Sequence, residues 1–339
     1  MKRLSNFELL RVVAMCFIVI GHIFMHGLRG EVEYYDWIRI WTISGVNLFV
    51  LISGWFNIHL TWKSLLRFLG MVVFYQILSY ITVYIVTDSI PALNVFNVPN
   101  PSHNPLYVLI SVIFPISSGG GYWFVTSYFV LMLLSPFINI VLNKKSKSVL
   151  LLLVVLLYLS IVSGWVFNNG INRDGYNAFH LITIYVLGDC LRRFHIAERR
   201  SYIFWATVFV ISTIISLPLL ASHESKLFRY NNPLVILASI SLFCCFVKMN
   251  FSSGWINKLS RSMFPCYLIQ DGVFGIYLYG VLYQYNKFVW WIVPVYFISI
   301  MWAAYLIESL RQKLMTVPIN SLASFLEKSV SMHSNTVNK

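Results

Sequence analysis

Residues 7–28 read FELLRVVAMCFIVIGHIFMHGL, an apolar run broken only by Glu8, Arg11, His22 and His26. The run is long enough to cross a hydrocarbon layer of about 30 Å as a helix. Ionisable side chains inside such a helix are costly, so where they occur they usually mark function. Arg11 and His22 are eleven residues apart. At roughly 100° and about 1.5 Å per residue, they return to nearly one face, about 16 Å apart along the axis. Glu8, Arg11, Met15, Ile18, His22 and His26 form a stripe on that face, flanked by lipid-compatible Val12, Phe17, Val19 and Ile20. Such a stripe is expected to line a cavity and not to face acyl chains.

The rest of the chain has the same character. Of 339 residues, 58% are hydrophobic and 17% aromatic, and only 11% are charged. Soluble domains carry about a quarter charged residues, so this is the composition of a polytopic membrane protein. The net charge of +13 would suggest nucleic acid if it covered one soluble face. Here the basic residues sit in short loops between apolar runs, so no nucleic-acid partner is expected. Cys16, Cys190, Cys244, Cys245 and Cys266 lie in or beside apolar segments without CxxC or other metal-ligand spacing. They read as small core residues. Lys2 and Arg3 before the first run resemble a signal peptide, but no small-residue cleavage site follows, so a retained helix is expected.

Spanning runs fall at about 8–28, 38–58, 65–86, 122–142, 149–167, 178–194, 202–222, 230–248, 263–283 and 288–310. The expected fold is therefore an all-α polytopic membrane protein of about ten transmembrane helices. With the N-terminus inside, eighteen of the 25 basic residues fall in inner loops or ends. Only Arg29, Arg39, Arg173, Lys226, Arg229 and Lys287 fall outside. That asymmetry obeys the positive-inside rule with both termini cytoplasmic. The longest connection, 88–121, is rich in Pro, Asn and Ser, and its apolar piece at 105–117 is too short to cross. Residues 1–311 are read as the transmembrane domain and 312–339 as a short cytoplasmic tail, whose VPINSLASFLEKSV could lie along the membrane surface.

Neutral imidazole is an effective general base near physiological pH, which makes His22 the candidate catalytic residue. The plain alternative is a packing histidine bonded to a neighbouring helix. His22 and His26 at i, i+4 have no third ligand or HExxH context, so no metal is expected. Arg11 is placed to meet an anion from the cytosol, with Glu8 at i−3 to orient it; an ordinary ion pair between them is the alternative. Lys63 and Arg67, also i, i+4, put two cations on one face, which suits a phosphate between them as well as loop charge. The runs at 144–147 and 192–200 read as topology determinants. Asn47, within Ser44-Gly45-Val46-Asn47, is placed either to bond across to another helix or to line a polar pocket. Trp123, after Gly119-Gly120-Gly121-Tyr122, is either an interfacial anchor or a platform for a sugar ring.

FELLR–x10–H in the first helix, GVNLFVLISGWF at 45–56, GYWFVTSYFVLMLLSPF at 121–137 and INKLSRSMFPCYLIQD at 256–271 occur in order. Together they resemble the membrane-bound acyltransferase 3 family. That resemblance implies a ten-helix enzyme of the bacterial plasma membrane. It would carry acetyl, sometimes another acyl group, from cytosolic acyl-CoA to a hydroxyl of an envelope or extracellular polysaccharide or its lipid-linked precursor. No permanently bound cofactor is implied; acyl-CoA is a donor substrate. The family's arginine and histidine fall on Arg11 and His22, and its basic pair on Lys63 and Arg67, here one residue further apart than usual. Many members have YLIH where this chain has Tyr267-Leu268-Ile269-Gln270, and an amide cannot carry a proton as imidazole does. The rival reading is a flippase or exporter of lipid-linked sugars, with Arg11 and His22 serving binding or proton coupling; no internal repeat of the transporter kind is visible.

Overall fold

The computed structural model describes residues 4–28, 35–89, 104–114, 122–217, 225–285 and 289–337. The Gly119–Gly121 segment, most of the 88–121 loop, and Lys2, Arg3, Arg29, Lys287 and Lys339 lie outside them. Every regular element among the described residues is helical, as a membrane core requires of chains that must satisfy their own backbone hydrogen bonds.

The helices are α1 (Ser5–His22), continued by a π-helical turn Ile23–Gly27, α2 (Tyr35–Thr42), α3 (Gly45–Phe56), α4 (Trp62–Ser89), α5 (Pro105–Ile113), α6 (Trp123–Leu142) and α7 (Ser146–Leu157). They are followed by α8 (Ala178–Arg193), α9 (Tyr202–Ser216), α10 (Pro233–Val247), α11 (Gly254–Leu259), α12 (Met263–Gln270), α13 (Val273–Gln284) and α14 (Val289–Val337). Local chemistry sets several starts. Asn177, Ser201, Asn232 and Ser253 cap α8, α9, α10 and α11 through their side-chain oxygens, and Pro233 occupies the first turn of α10, where no N–H is needed.

Among the described residues, seven stretches are long and apolar enough to cross a membrane: Ser5–Gly27, Asp36–Phe56, Trp62–Val86, Trp123–Leu142, Ser146–Val166, Lys226–Val247 and Trp290–Ser329. The other three expected spans differ from simple apolar rods. Tyr202–Ser216 is apolar but short. The run at 178–194 forms α8, which carries His180, Asp189, Arg192 and Arg193. The run at 263–283 is not one helix: it breaks at Asp271–Gly272 into α12 and α13. Residues 312–337 continue α14 as one helix. Ile319 and Ala323 are buried there, with Ile319 against Gly70 of α4.

α1 is a hub, packed against α2, α3, α10, α11 and α12. Val19, expected on its lipid-facing flank, is fully buried. α3 and α8 approach backbone to backbone: a Cβ at Gly54 would stand 2.0 Å from the Tyr185 carbonyl oxygen, and one at Gly188 would stand 2.5 Å from that of Leu51. Without hydrophobic drive between helices in lipid, such backbone-to-backbone contact is what small residues provide. The exterior carries Phe137, Ile203, Trp290, Trp291 and Trp302, all exposed, as a lipid-facing surface demands.

Candidate active site

The stripe read from the sequence runs between two differently built ends. At its N-terminal end, Arg11 Nη1 donates to Glu8 Oε1 at 2.7 Å. Glu8 is buried, and the Ser260 hydroxyl, from the turn between α11 and α12, donates to its other oxygen. The guanidinium itself remains partly exposed. Glu8 thus holds Arg11 while being held from another helix, as a buried carboxylate needs. The Tyr128 hydroxyl, which shares a 3.1 Å hydrogen bond with Ser53 Oγ, stands within electrostatic reach of Arg11. Phe68 of α4 packs on Tyr128, with ring centroids 5.9 Å apart. Its neighbour Arg67 turns instead to α14, where Nη2 donates to Asn320 Oδ1 at 3.2 Å. Lys63 is exposed. The start of α4 therefore reaches the Arg11 end through Phe68 and Tyr128, while the Arg67 head group is held by Asn320.

At the other end, Met15, Ile18 and His22 of α1 face a narrow cavity walled by Phe49, Trp123, Phe124, Tyr230, Phe264 and Tyr267. A second small cavity, lined by Gly21, His22, Arg39, Thr42, Tyr176 and Tyr230, adjoins it. His22 belongs to both walls. The first has about 20 Å³ of space for water and the second about 30 Å³, enough for one or two molecules. A pantetheine arm or a sugar enters only if the surrounding aromatic side chains move. His22 sits where α1 passes into its π-helical turn, a widening that often accompanies functional sites.

Among the described residues no carboxylate hydrogen-bonds the His22 ring. Its Nδ1 is buried and, among the described residues, has no hydrogen-bond partner. The nearest rings are His26, edge-on at 5.2 Å, and Tyr267 at 6.5 Å. His26 in turn faces Tyr279 at 5.5 Å. Asp271, at the break between α12 and α13, stands near Tyr267 and within electrostatic reach of His26. The sequence offered no reason to bring Asp271 to the histidine pair; the broken helix does so. Gln270, one residue before, is fully buried. Among the described residues no group of three His, Cys, Asp or Glu side chains is arranged to hold a metal.

Asn47 takes the helix-bridging role of its two alternatives. Its amide donates to the Tyr230 carbonyl at 3.1 Å, and its Oδ1 lies 2.8 Å from His180 Nε2. His180 was not singled out from the sequence, because nothing local in AFHLITIY separates it from an ordinary helix start. Trp123 stacks on Tyr230 at 5.5 Å and meets Tyr176 at 4.7 Å, so its ring builds the cavity wall. Arg192 and Arg193 both pair with buried Asp189, at 2.5 and 3.0 Å.

An all-helical membrane protein with a histidine in an aromatic cavity, and an arginine on the same helix face three turns away, defines the class. A family model described as an acyltransferase domain, acyltransferase 3, matches residues 4–309, and the chain belongs to that family. No curated protein and no solved structure matches it.

Proposed function

We propose that the protein transfers an acyl group, typically acetyl, from cytosolic acyl-CoA to a hydroxyl of an envelope or extracellular polysaccharide or its lipid-linked precursor. The observation that carries this reading is the placement of His22: its unpartnered ring nitrogen lies in a cavity wall, on the same face of α1 as Arg11. Counting α8, α9 and the α12–α13 pair as crossings beside the seven long stretches gives ten. An even number puts both ends on one side, and the distribution of basic residues favours the cytoplasm for that side. The Arg11 end is then the donor entrance and the His22 end the outer, acceptor side.

Arg11 meets the phosphates of acyl-CoA, joined by Lys63 and by Arg67 once it leaves Asn320, and the Arg11 geometry is held by Glu8 and Ser260. The pantetheine arm runs along the α1 stripe for about 16 Å. His22 takes the proton of the acceptor hydroxyl as its oxygen attacks the thioester carbonyl. The C–S bond breaks, and the CoA thiolate recovers the proton from the imidazolium. The narrow aromatic wall limits the access of bulk water to the thioester.

The test uses purified protein in lipid nanodiscs with acetyl-CoA and an oligosaccharide acceptor, following free CoA thiol and the mass of the acceptor. Wild type releases thiol and adds an acyl mass; folded His22→Ala does neither. Acylation undiminished in His22→Ala removes the catalytic assignment. A wild type that binds the glycan and never releases thiol belongs to the carrier class.

A further inference from the structure

The positive-inside rule accounts for basic residues at the Arg11 end but not for those at the opposite end. Four of these, Arg39, Arg173, Lys226 and Arg229, gather on the segments that wall the His22 cavities. Arg39 lines the second cavity and lies 4.0 Å over the Phe228 ring. Arg173 and Arg229, on loops 56 residues apart, converge on one atom. Arg173 Nε donates to Asn168 Oδ1 at 3.1 Å, and Arg229 Nη1 donates to the same oxygen at 2.9 Å. Arg229 Nη1 also donates to the Arg173 carbonyl at 2.9 Å. Lys226 extends the group, its Nζ donating to the Val166 carbonyl at 3.4 Å.

Two guanidiniums on one neutral oxygen repel each other, and among the described residues neither is in an ion pair. Asp174 follows Arg173 directly, but its Oδ1 accepts from the Tyr176 N–H at 2.9 Å. Each guanidinium carries five N–H donors, and among the described residues only Nε of Arg173 and Nη1 of Arg229 are engaged.

The pairing is built into the loops. Asn168 has the left-handed backbone angle φ 59°, which asparagine tolerates better than most residues. Asn231 Nδ2 donates to the Asn172 carbonyl at 2.5 Å, and the Tyr230 N–H donates to the Asp174 carbonyl at 3.0 Å. A hydrogen-bonded frame that holds two like charges together, with donors unengaged among the described residues, is the arrangement that binds a planar or tetrahedral anion. Its backbone continues directly into Tyr230 and Tyr176, which line the His22 cavities.

We propose that Arg173 and Arg229 form the subsite for an anionic group of the acceptor, the carboxylate or phosphate of an acidic glycan, and present its hydroxyl to His22. This rests on the acyl-transfer reading above for the acceptor's identity, but binding at the subsite is measured without turnover. An anionic lipid headgroup shares the chemistry and is distinguished by the membrane used.

Purified protein in nanodiscs of neutral phosphatidylcholine is titrated with a uronic-acid hexasaccharide, with glucose 1-phosphate and with a neutral glucose hexasaccharide. Saturable binding of at least one anionic sugar, with none of the neutral one, is expected. The R173Q/R229Q double variant should weaken it at least tenfold while its thermal unfolding midpoint stays near wild type. R173K/R229K, which keeps the charge, should recover part of the loss. Absence of binding by both anionic sugars, or binding that R173Q/R229Q leaves unchanged, overturns the proposal. So does an arginine-dependent rise in unfolding midpoint seen only when phosphatidylglycerol is added to the nanodiscs, since that assigns the pair to a lipid. If arginine-dependent sugar binding holds while acetyl-CoA yields no thiol with any acceptor, the subsite stands and the acyl-transfer reading falls.

Discussion

Asn47 and His180 share a 2.8 Å hydrogen bond between α3 and α8, with both residues fully buried. Because Asn47 also donates to the Tyr230 carbonyl, one amide ties two helices to the residue that walls both His22 cavities. Asn47→Leu removes both bonds at once and leaves two buried polar groups unpaired, at about 1–3 kcal/mol each. The thermal unfolding midpoint of the detergent-solubilised variant should fall well below wild type, and acylation should fall with it, because Tyr230 is no longer pinned. A midpoint equal to wild type would show that Asn47 is not the clamp.

The α3–α8 contact predicts a sharp difference between two glycines. Gly54→Ala sets a Cβ 2.0 Å from a backbone oxygen of α8, and neither backbone can yield without separating the helices. Overpacking of this kind costs about 1–3 kcal/mol, occasionally more. Gly254→Ala, where a Cβ meets nothing within 4 Å, should be neutral. Size-exclusion profiles after solubilisation should show loss of the monodisperse peak for the first variant alone.

These two cases show what the sequence discloses and what it hides. Apolar runs place the helices because lipid imposes one length and one composition on any crossing segment. The Arg11–His22 face follows from helical periodicity alone, and the Glu8–Arg11 pair from i, i+3 spacing. The break at Asp271–Gly272 is invisible to a hydropathy average, which two polar positions among apolar neighbours barely move. Ser260 reaches Glu8 and His180 reaches Asn47 from 252 and 133 residues away, and no local pattern announces either. Val19 looks lipid-facing by its neighbours on the helical wheel, yet α1 is enclosed on more than one side. Trp123 has the right chemistry for a sugar platform, but its stacking on Tyr230 is decided by tertiary packing.

The donor end predicts a selective defect. Ser260→Ala removes the hydroxyl that holds Glu8, so Arg11 loses its fixed support without losing its charge. Loss of one hydrogen bond to a charged group amounts to about 1.5–3 kcal/mol, or roughly tenfold or more in affinity. KM for acyl-CoA should rise by that order, with KM for the glycan unchanged. Glu8→Gln should act in the same direction. A parallel rise in both KM values would place these residues in general folding and not at the donor entrance.

Arg67 offers the strictest test of how the second cationic pair takes part, because its head group is committed to Asn320 of α14. If Arg67 meets acyl-CoA phosphate, it must leave that amide, and the 3.2 Å contact between neutral and charged partners is weak enough to allow it. Arg67→Glu should then raise KM for acyl-CoA at least tenfold, and the effect should shrink at high salt, where exposed charges are screened. Asn320→Ala separates the alternatives. Releasing Arg67 should leave acyl-CoA binding unchanged or tighter if the guanidinium works on the donor. It should weaken binding and lower the unfolding midpoint together if Arg67 serves only to fasten the end of α14 to α4. Steady-state kinetics of the two variants at two salt concentrations decide between a phosphate contact and a helix tether.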